Sequence, residues 1–247
     1  MLDKIKSFIY GFLLVHGLWL LGTNFINDRL FPSPFIVYAN MDIAFMLDMM
    51  EHIGHSLWRL FAGLSISVIL GLVLGLLMAQ SKIAGKILNP FIYFTYPIPK
   101  MTFLPVVMVM LGLGNNTIIT MIVLIVVFQI IVNVRDGINS IPVENYHILR
   151  VLGASKWQLF KDITFPAALS QILSSTRVAL GTATAILFIT ETHGTRHGMG
   201  FYIMNASTRI DYIDMFSGII VLSFVAFILF LIVDTLDAVF LKWQQTN

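Results

Sequence analysis

The sequence has no cysteine and very little charge. Without Cys it can form no disulfide framework, offer no thiol nucleophile and build no thiolate metal site, although that absence is compatible with any compartment. Charged residues make up 11% of the 247, against about 25% in an ordinary soluble domain. With 57% hydrophobic residues and a mean hydropathy of +0.87, the chain belongs in a bilayer. The net charge of +2 is too small, and the bases too scattered, for a nucleic-acid surface. No G-x-x-x-x-G-K-[ST] occurs anywhere, so the chain cannot cradle ATP phosphates in that manner and energy must come from elsewhere. Nor can a Ser-His-Asp arrangement be assembled.

What is present is a series of apolar runs. A helical crossing needs about 20 predominantly apolar residues. Residues 7 to 25 form the first expected span, read as uncleaved because no A-x-A-like site follows it. Residues 57 to 80 form the second. Between Lys100 and Arg135 lie 34 uncharged residues, too many for one crossing, and the turn formers of GLGNN at 112 to 116 divide them. The third and fourth spans are therefore expected at about 88 to 112 and 117 to 134, the fifth at 169 to 190 and the sixth at 215 to 233. The expected fold is an all-α polytopic bundle of about six spans. Its N-terminal part, 1 to 55, carries the first span and an outer loop whose segment DIAFMLDMMEHI lies on the membrane surface or leads into the second span. Its core is 56 to 247, including a polar loop at 135 to 168.

Six spans place both termini on one side, and the excess of Lys and Arg selects that side. Lys4, Lys6, Lys82, Lys86, Arg135, Arg150, Lys156, Lys161 and Lys242 fall on one face; Arg29, Arg59, Arg196 and Arg209 fall on the other, with Lys100 and Arg177 assigned to neither. The richer face is read as cytoplasmic, so both termini and the polar loop are expected inside the cell membrane. Asp28, Asp42, Asp48, Glu51, Glu191, Asp211 and Asp214 collect on the outer face.

The polar loop reads as helix, turn, helix. Pro142 suits a first helical turn, Glu144 sits near the positive end, and Gly153 is placed to stop the helix. Ser155 and Gln158 form an S-x-x-Q capping box for a second helix, which Pro166 is expected to limit. Trp157, Phe160 and Ile163 give that helix an apolar stripe that wants a partner.

Gly153, nine residues, then Ile163, Thr164, Phe165 and Pro166 also reproduce the second part of E-A-A-x3-G-x9-I-x-L-P, a pattern of binding-protein-dependent ABC permeases. The first part departs, with His147, Ile148 and Leu149 in place of Glu-Ala-Ala. The surrounding segments IPVE, LGASKWQLF, FPAAL, YPIPKMTFLPVVMVMLGLG and ITETHG resemble the nitrate, sulfonate and taurine type of permease, from about residue 56 to the C-terminus. The resemblance implies a type I importer permease fold and no bond chemistry on this chain. It also implies a second permease copy, two cytoplasmic ATPase subunits that hold ATP and Mg, and an external substrate-binding protein. Within it, Glu144, His147, Ile148, Leu149, Arg150, Gly153, Ala154 and Ser155 would form the helix and turn that couple to the ATPase. Glu191 matches an acidic residue of the family, as a gate or a contact for the binding protein. The implied cargo is a small solute such as a sulfonate, nitrate, bicarbonate or a similar small organic compound.

The fifth span is rich in small and hydroxylated residues, among them Ser174, Thr176, Gly181 and Thr182, which permit close packing and can wall a wet path. Outside helix ends, Arg177 is the firmly membrane-placed ionisable residue, with Lys100 a second, and it reads as an anchor or a substrate contact. Gly63, Gly71 and Gly75 mark a helix-contact face on the second span. His193 and His197 are four apart, but Gly194, Gly198 and Gly200 interrupt any helix between them, so no metal site is expected. His16, His52 and His55 have no partner visible in the sequence. A secondary transporter or channel would call for intramembrane carboxylates or internal repeats, and a membrane hydrolase for clustered His and carboxylates; neither pattern is present.

Overall fold

In the computed structural model, which describes residues 2–27 and 29–240 and the side chains of Tyr10 to Val239 apart from Asp28, the apolar runs are helical. In hydrocarbon no water satisfies backbone N–H and C=O groups, so each segment must bond them internally, and a helix does so. In chain order the elements are α1 (Leu2–Phe25), α2 (Pro34–Asn40), α3 (Ile43–Gln80), α4 (Lys82–Thr95), a 3-10 turn (Lys100–Phe103), α5 (Leu104–Leu111), α6 (Asn115–Asn139), α7 (Val143–Val151), α8 (Lys156–Leu159), a π turn (Phe160–Thr164), α9 (Phe165–Gly194), α10 (Met199–Thr208) and α11 (Tyr212–Phe240). Among the described residues there is no strand.

Ile43–Gln80, Asn115–Asn139, Lys156–Gly194 and Tyr212–Val239 are each long and apolar enough to cross a bilayer, and α4 with the segment Lys100–Leu111 makes a further, bent candidate. α1 covers the first expected span, so each of the six expected crossings has a helical counterpart. Asp28 and Lys242, and the side chains of Lys4 and Lys6, all used in assigning faces, lie outside the described residues.

Two expectations about these elements are corrected. The third span is not one helix over 88 to 112: α4 stops at Thr95 and the chain resumes at Lys100, bent by 84°. The cause is YPIPK. Pro97 and Pro99 lack the N–H a helix needs, so the helical bonding cannot continue past Tyr96, whose own backbone is still helical. Lys100 closes the break, its Nζ donating to the terminal carbonyls of Thr95 and Tyr96 at 3.1 Å each and lying 4.5 Å from the Phe128 ring centre. Second, Pro166 does not limit the helix begun at Ser155, because the π turn widens the coil and admits the proline ring into the first turn of α9. Of the two readings of the segment 42 to 53, the structure shows the second: from Ile43 on it is the first part of the 38-residue α3 and leads into the second span. At 1.5 Å per residue α3 is about 57 Å long, well beyond the roughly 30 Å hydrocarbon core.

The chain divides into two compact units. One comprises Met1–Ser56 and Arg196–Val225. Its core is Met49, Met199, Tyr202 and Val221, with Phe45, Ile53 and Leu222 packed against them. Polar links supplement that core: Trp19 Nε1 donates to the Pro32 carbonyl at 3.0 Å and Asn40 Nδ2 to Asp214 Oδ1 at 2.9 Å. His16 finds its partner in the Tyr38 hydroxyl.

The other unit comprises Leu57–Thr195 and Ala226–Asn247. Its centre is α6, apolar nearly all round, with Ile118, Met121, Ile122, Val126, Ile130, Ile131 and Val134 buried. α6 packs along α9 on one side. On another, Gly63, Gly71 and Gly75 of α3 lie against Ile122, Ile130 and Val134, so the contact face read from the sequence is used. A Cβ at Gly71 would fall 2.6 Å from Ile130 Cγ2, closer than packed carbons approach. Gly71→Val is therefore expected to force the two helices apart at a cost of about 1–3 kcal/mol, read as a lower Tm in detergent and less chain recovered from membranes. A wild-type Tm would contradict it.

Candidate functional site

The polar loop between α6 and α9 is built by local signals. α7 opens after Pro142, which serves as its N-cap rather than lying in its first turn, with exposed Glu144 at the positive end and Arg150 at the negative end. At the other end Gly153 takes φ +85°, a left-handed conformation that costs glycine little. Its N–H donates to Arg150 O at 3.0 Å and that of Ala154 to Leu149 O at 2.9 Å, the paired bonds of a Schellman cap. Two residues on, Ser155 Oγ accepts from the Gln158 N–H at 3.3 Å while Gln158 Oε1 accepts from the Ser155 N–H at 2.7 Å, so the capping box is complete. Tyr146 and Thr164 share a hydrogen bond of 3.1 Å that ties α7 to the π turn. The loop is thus a short helix closed at its C-terminal end and tied from its middle to the π turn.

Its exposed face is apolar. Ile148, Val151 and Leu152 are 60%, 87% and 76% exposed, with His147 exposed beside them. The stripe expected on the second helix is less open: Trp157 is exposed and stacks on Phe160, whereas Phe160 and Ile163 are half-buried. Behind α7 lies a cleft of about 910 Å³ whose lining includes Gly137, Asn145, Leu149, Asp162 and Gln171. Of the three residues that depart from the family pattern, His147 and Ile148 are exposed, and Ile148 and Leu149 both border this cleft.

Higher on α9, Glu191 is fully buried. Arg59 of α3 donates to it through Nη1 at 2.6 Å, to Asn115 Oδ1 through Nε at 2.7 Å and to Thr195 Oγ1 through Nη2 at 3.0 Å. One guanidinium therefore joins α3, the start of α6 and the end of α9. Burying a charge is costly without a partner and enough hydrogen bonds, and here both are supplied. The carboxylate presents no surface, so a contact with an outside protein would first require this cluster to open. Arg59 is the partner of Glu191 that sequence reasoning missed. The signal was there: an arginine at the third position of the expected span 57 to 80 is a functional hypothesis in its own right.

The remaining residues on α9 separate into satisfied and open positions. Thr176 and Thr182 turn their hydroxyls onto their own helix, to Ile172 O at 2.7 Å and Val178 O at 3.3 Å, while Ser174 and Gly181 are exposed. Arg177 pairs with Asp234 Oδ1 at 2.5 Å and Asp237 Oδ2 at 3.5 Å on α11, and lies over the Phe230 ring. The structure therefore brings together the loop residues 144 to 155 and, separately, Arg59 with Glu191. Ser174, Thr176, Arg177 and Thr182 occupy different sides of one helix.

Comparison with known proteins follows the same lines. The pattern of the family described as binding-protein-dependent transport system inner membrane component matches residues 67–244. A formylaminopyrimidine transport permease of Halalkalibacterium halodurans is 27% identical over 236 residues, 95% of this chain and 94% of that one. The taurine transport system permease of Escherichia coli is 27% identical over 194 residues, 78% and 70% of the two chains. In fold, a chain from a crystal structure of a bacterial ABC transporter involved in the import of the acidic polysaccharide alginate superimposes with a TM-score of 0.65, at 18% identity, over 95% of this chain and 96% of that one.

Proposed function

The chain belongs to the family of binding-protein-dependent transport system inner membrane components, and from that membership we propose how it is assembled and what it carries. It is a multi-pass permease subunit of an ABC importer and performs no bond chemistry. In the proposed assembly two copies of it form the channel, two cytoplasmic ATPase subunits bind ATP and Mg, and an external binding protein delivers the cargo. Both termini and the α7–α8 loop lie in the cytoplasm, as the excess of Lys and Arg favours. The cargo is a small solute: a sulfonate, nitrate, bicarbonate or a comparable small organic compound.

The observation that carries this reading is α7, a short helix closed by a Schellman cap and followed by the capping box of α8, with Ile148, Val151 and Leu152 exposed. Three apolar side chains displayed on a polar loop suit a groove on a second protein. Glu144, His147, Arg150, Ala154 and Ser155 form the rim of that contact, and Leu149 and Gly153 hold the helix in place. ATP binding draws the two α7 helices together and turns the cavity outward; hydrolysis reverses it, so that each state is selected by its ligand. Glu191, paired with Arg59, works as the gate at the far end of α9, and Ser174, Thr176, Arg177 and Thr182 contribute to the path or its packing.

The test is co-expression with the neighbouring genes. An ATPase containing a Walker motif is expected to co-purify, and its activity to rise when the liganded binding protein is added. Recovery of the folded chain with no such ATPase overturns the reading. Screening the same binding protein against sulfonates, nitrate, bicarbonate and pyrimidines identifies the cargo.

A further inference from the structure

We propose that Glu51, His55 and His197 form a binding site for a divalent transition-metal ion, with Zn²⁺ the ion best suited to the donors. Oε1 of Glu51 lies 3.0 Å from Nδ1 of His197 and 4.0 Å from Nε2 of His55. One donor atom from each residue falls within 4.8 Å of the other two. A tetrahedral ion with bonds of about 2.0–2.1 Å sets its donors roughly 3.3 Å apart, so small side-chain rotations close the set. Glu51 and His55 are four apart on α3 and share a face, while His197 comes from the turn before α10.

That turn is held in place by other groups. Nδ1 of His52 accepts the Gly198 N–H at 3.0 Å and Oγ of Ser56 accepts the Met199 N–H at 2.8 Å. These are donors at the start of α10, which its own helix leaves unpaired. With the two backbone N–H groups that follow it fixed, and its Nδ1 already 3.0 Å from Glu51 Oε1, His197 is positioned before any ion arrives, so the ordering cost of binding is reduced. The imidazole rings of His55 and His197 stand 5.0 Å apart. A proton between Glu51 and His197 would join two of the three donors; a metal ion engages all three. Two imidazoles and a carboxylate are the borderline donors that Zn²⁺ prefers, and three protein ligands leave a fourth position for water. The ion would staple α3 to the turn before α10 within one unit. In the orientation proposed above it enters from outside.

The experiment uses the complete transporter, with affinity tags removed and metal stripped by chelator. Zn²⁺ is titrated against a chromophoric chelator while Tm is followed, and Co²⁺ is used as a spectroscopic probe of geometry. The expected result is one ion per copy of this chain, a rise in Tm with added Zn²⁺, and a tetrahedral Co²⁺ spectrum. His55→Ala and His197→Ala should each weaken binding about a hundredfold, whereas His193→Ala, whose ring bonds Thr192 and Ile189 instead, should leave it unchanged. The proposal is overturned if the folded wild-type transporter takes up no Zn²⁺, or if the ion it takes up is held equally well without His55 and His197.

Discussion

Arg59→Met is expected to destabilise the transporter by about 3–5 kcal/mol, the cost of leaving a buried charge without its partner. Glu191 is fully enclosed, so its carboxylate would keep only whatever neutral contacts remain. The informative comparison is the double variant Arg59→Met with Glu191→Leu. Replacing both partners by apolar groups removes the uncompensated charge and should recover much of the lost stability, because a well-packed apolar pair often stands in for a buried ion pair. The measurement is thermal unfolding of the assembled transporter in detergent. A single variant no less stable than the double would sink the argument. The same pair of proteins also separates folding from gating. If the cluster works as a gate, the double variant should recover its Tm yet transport at an altered rate or leak; if it is only an anchor, stability and uptake should recover together.

Gly153→Val is expected to abolish coupling while leaving the protein in the membrane. The residue sits at φ +85°, where any side chain with a Cβ is strained by about 1–2 kcal/mol and a β-branched one by more. That strain is relieved only by breaking the bonds from Gly153 to Arg150 and from Ala154 to Leu149 that end α7. Nothing lies within 4 Å of where the Cβ would be, so the effect is one of conformation and not of crowding. Uptake is expected to fall about tenfold or more, the scale set by 1.4 kcal/mol per factor of ten, with stimulation of ATP hydrolysis by the binding protein lost in parallel. Gly153→Asn, which tolerates the left-handed region, should retain most of both. Wild-type uptake and stimulated hydrolysis in Gly153→Val would refute the role of this turn.

What could be read from the sequence divides by distance along the chain. The cap at Gly153 and the capping box of Ser155 and Gln158 are set by residues within three or four positions of one another, and both were legible. So was the break at GLGNN, where Gly112 and Gly114 take φ +76° and +118°. The kink at YPIPK was equally local, but 34 uncharged residues beside it favoured a straight span and outweighed two prolines. The bonds from Arg59 to Glu191, 132 residues apart, and from Arg177 to Asp237, 60 apart, depend on how helices pack, and periodicity carries no information about that. Pro166 failed as a stop signal for a related reason. A proline ends a helix only if the coil cannot widen, and here a π turn lets it widen.

The length of α9 gives that π turn a mechanical consequence. Thirty residues at 1.5 Å each make a rod of about 45 Å, with the polar loop at one end and Glu191 one turn from the other. Pivoting the rod by about 5° at the loop sweeps its far end through roughly 4 Å. The hydrogen bond from Arg59 to Glu191 is 2.6 Å long and breaks well within that arc. An angular change too small to disturb the packing of α6 against α9 near the pivot is therefore enough to unfasten the opposite end.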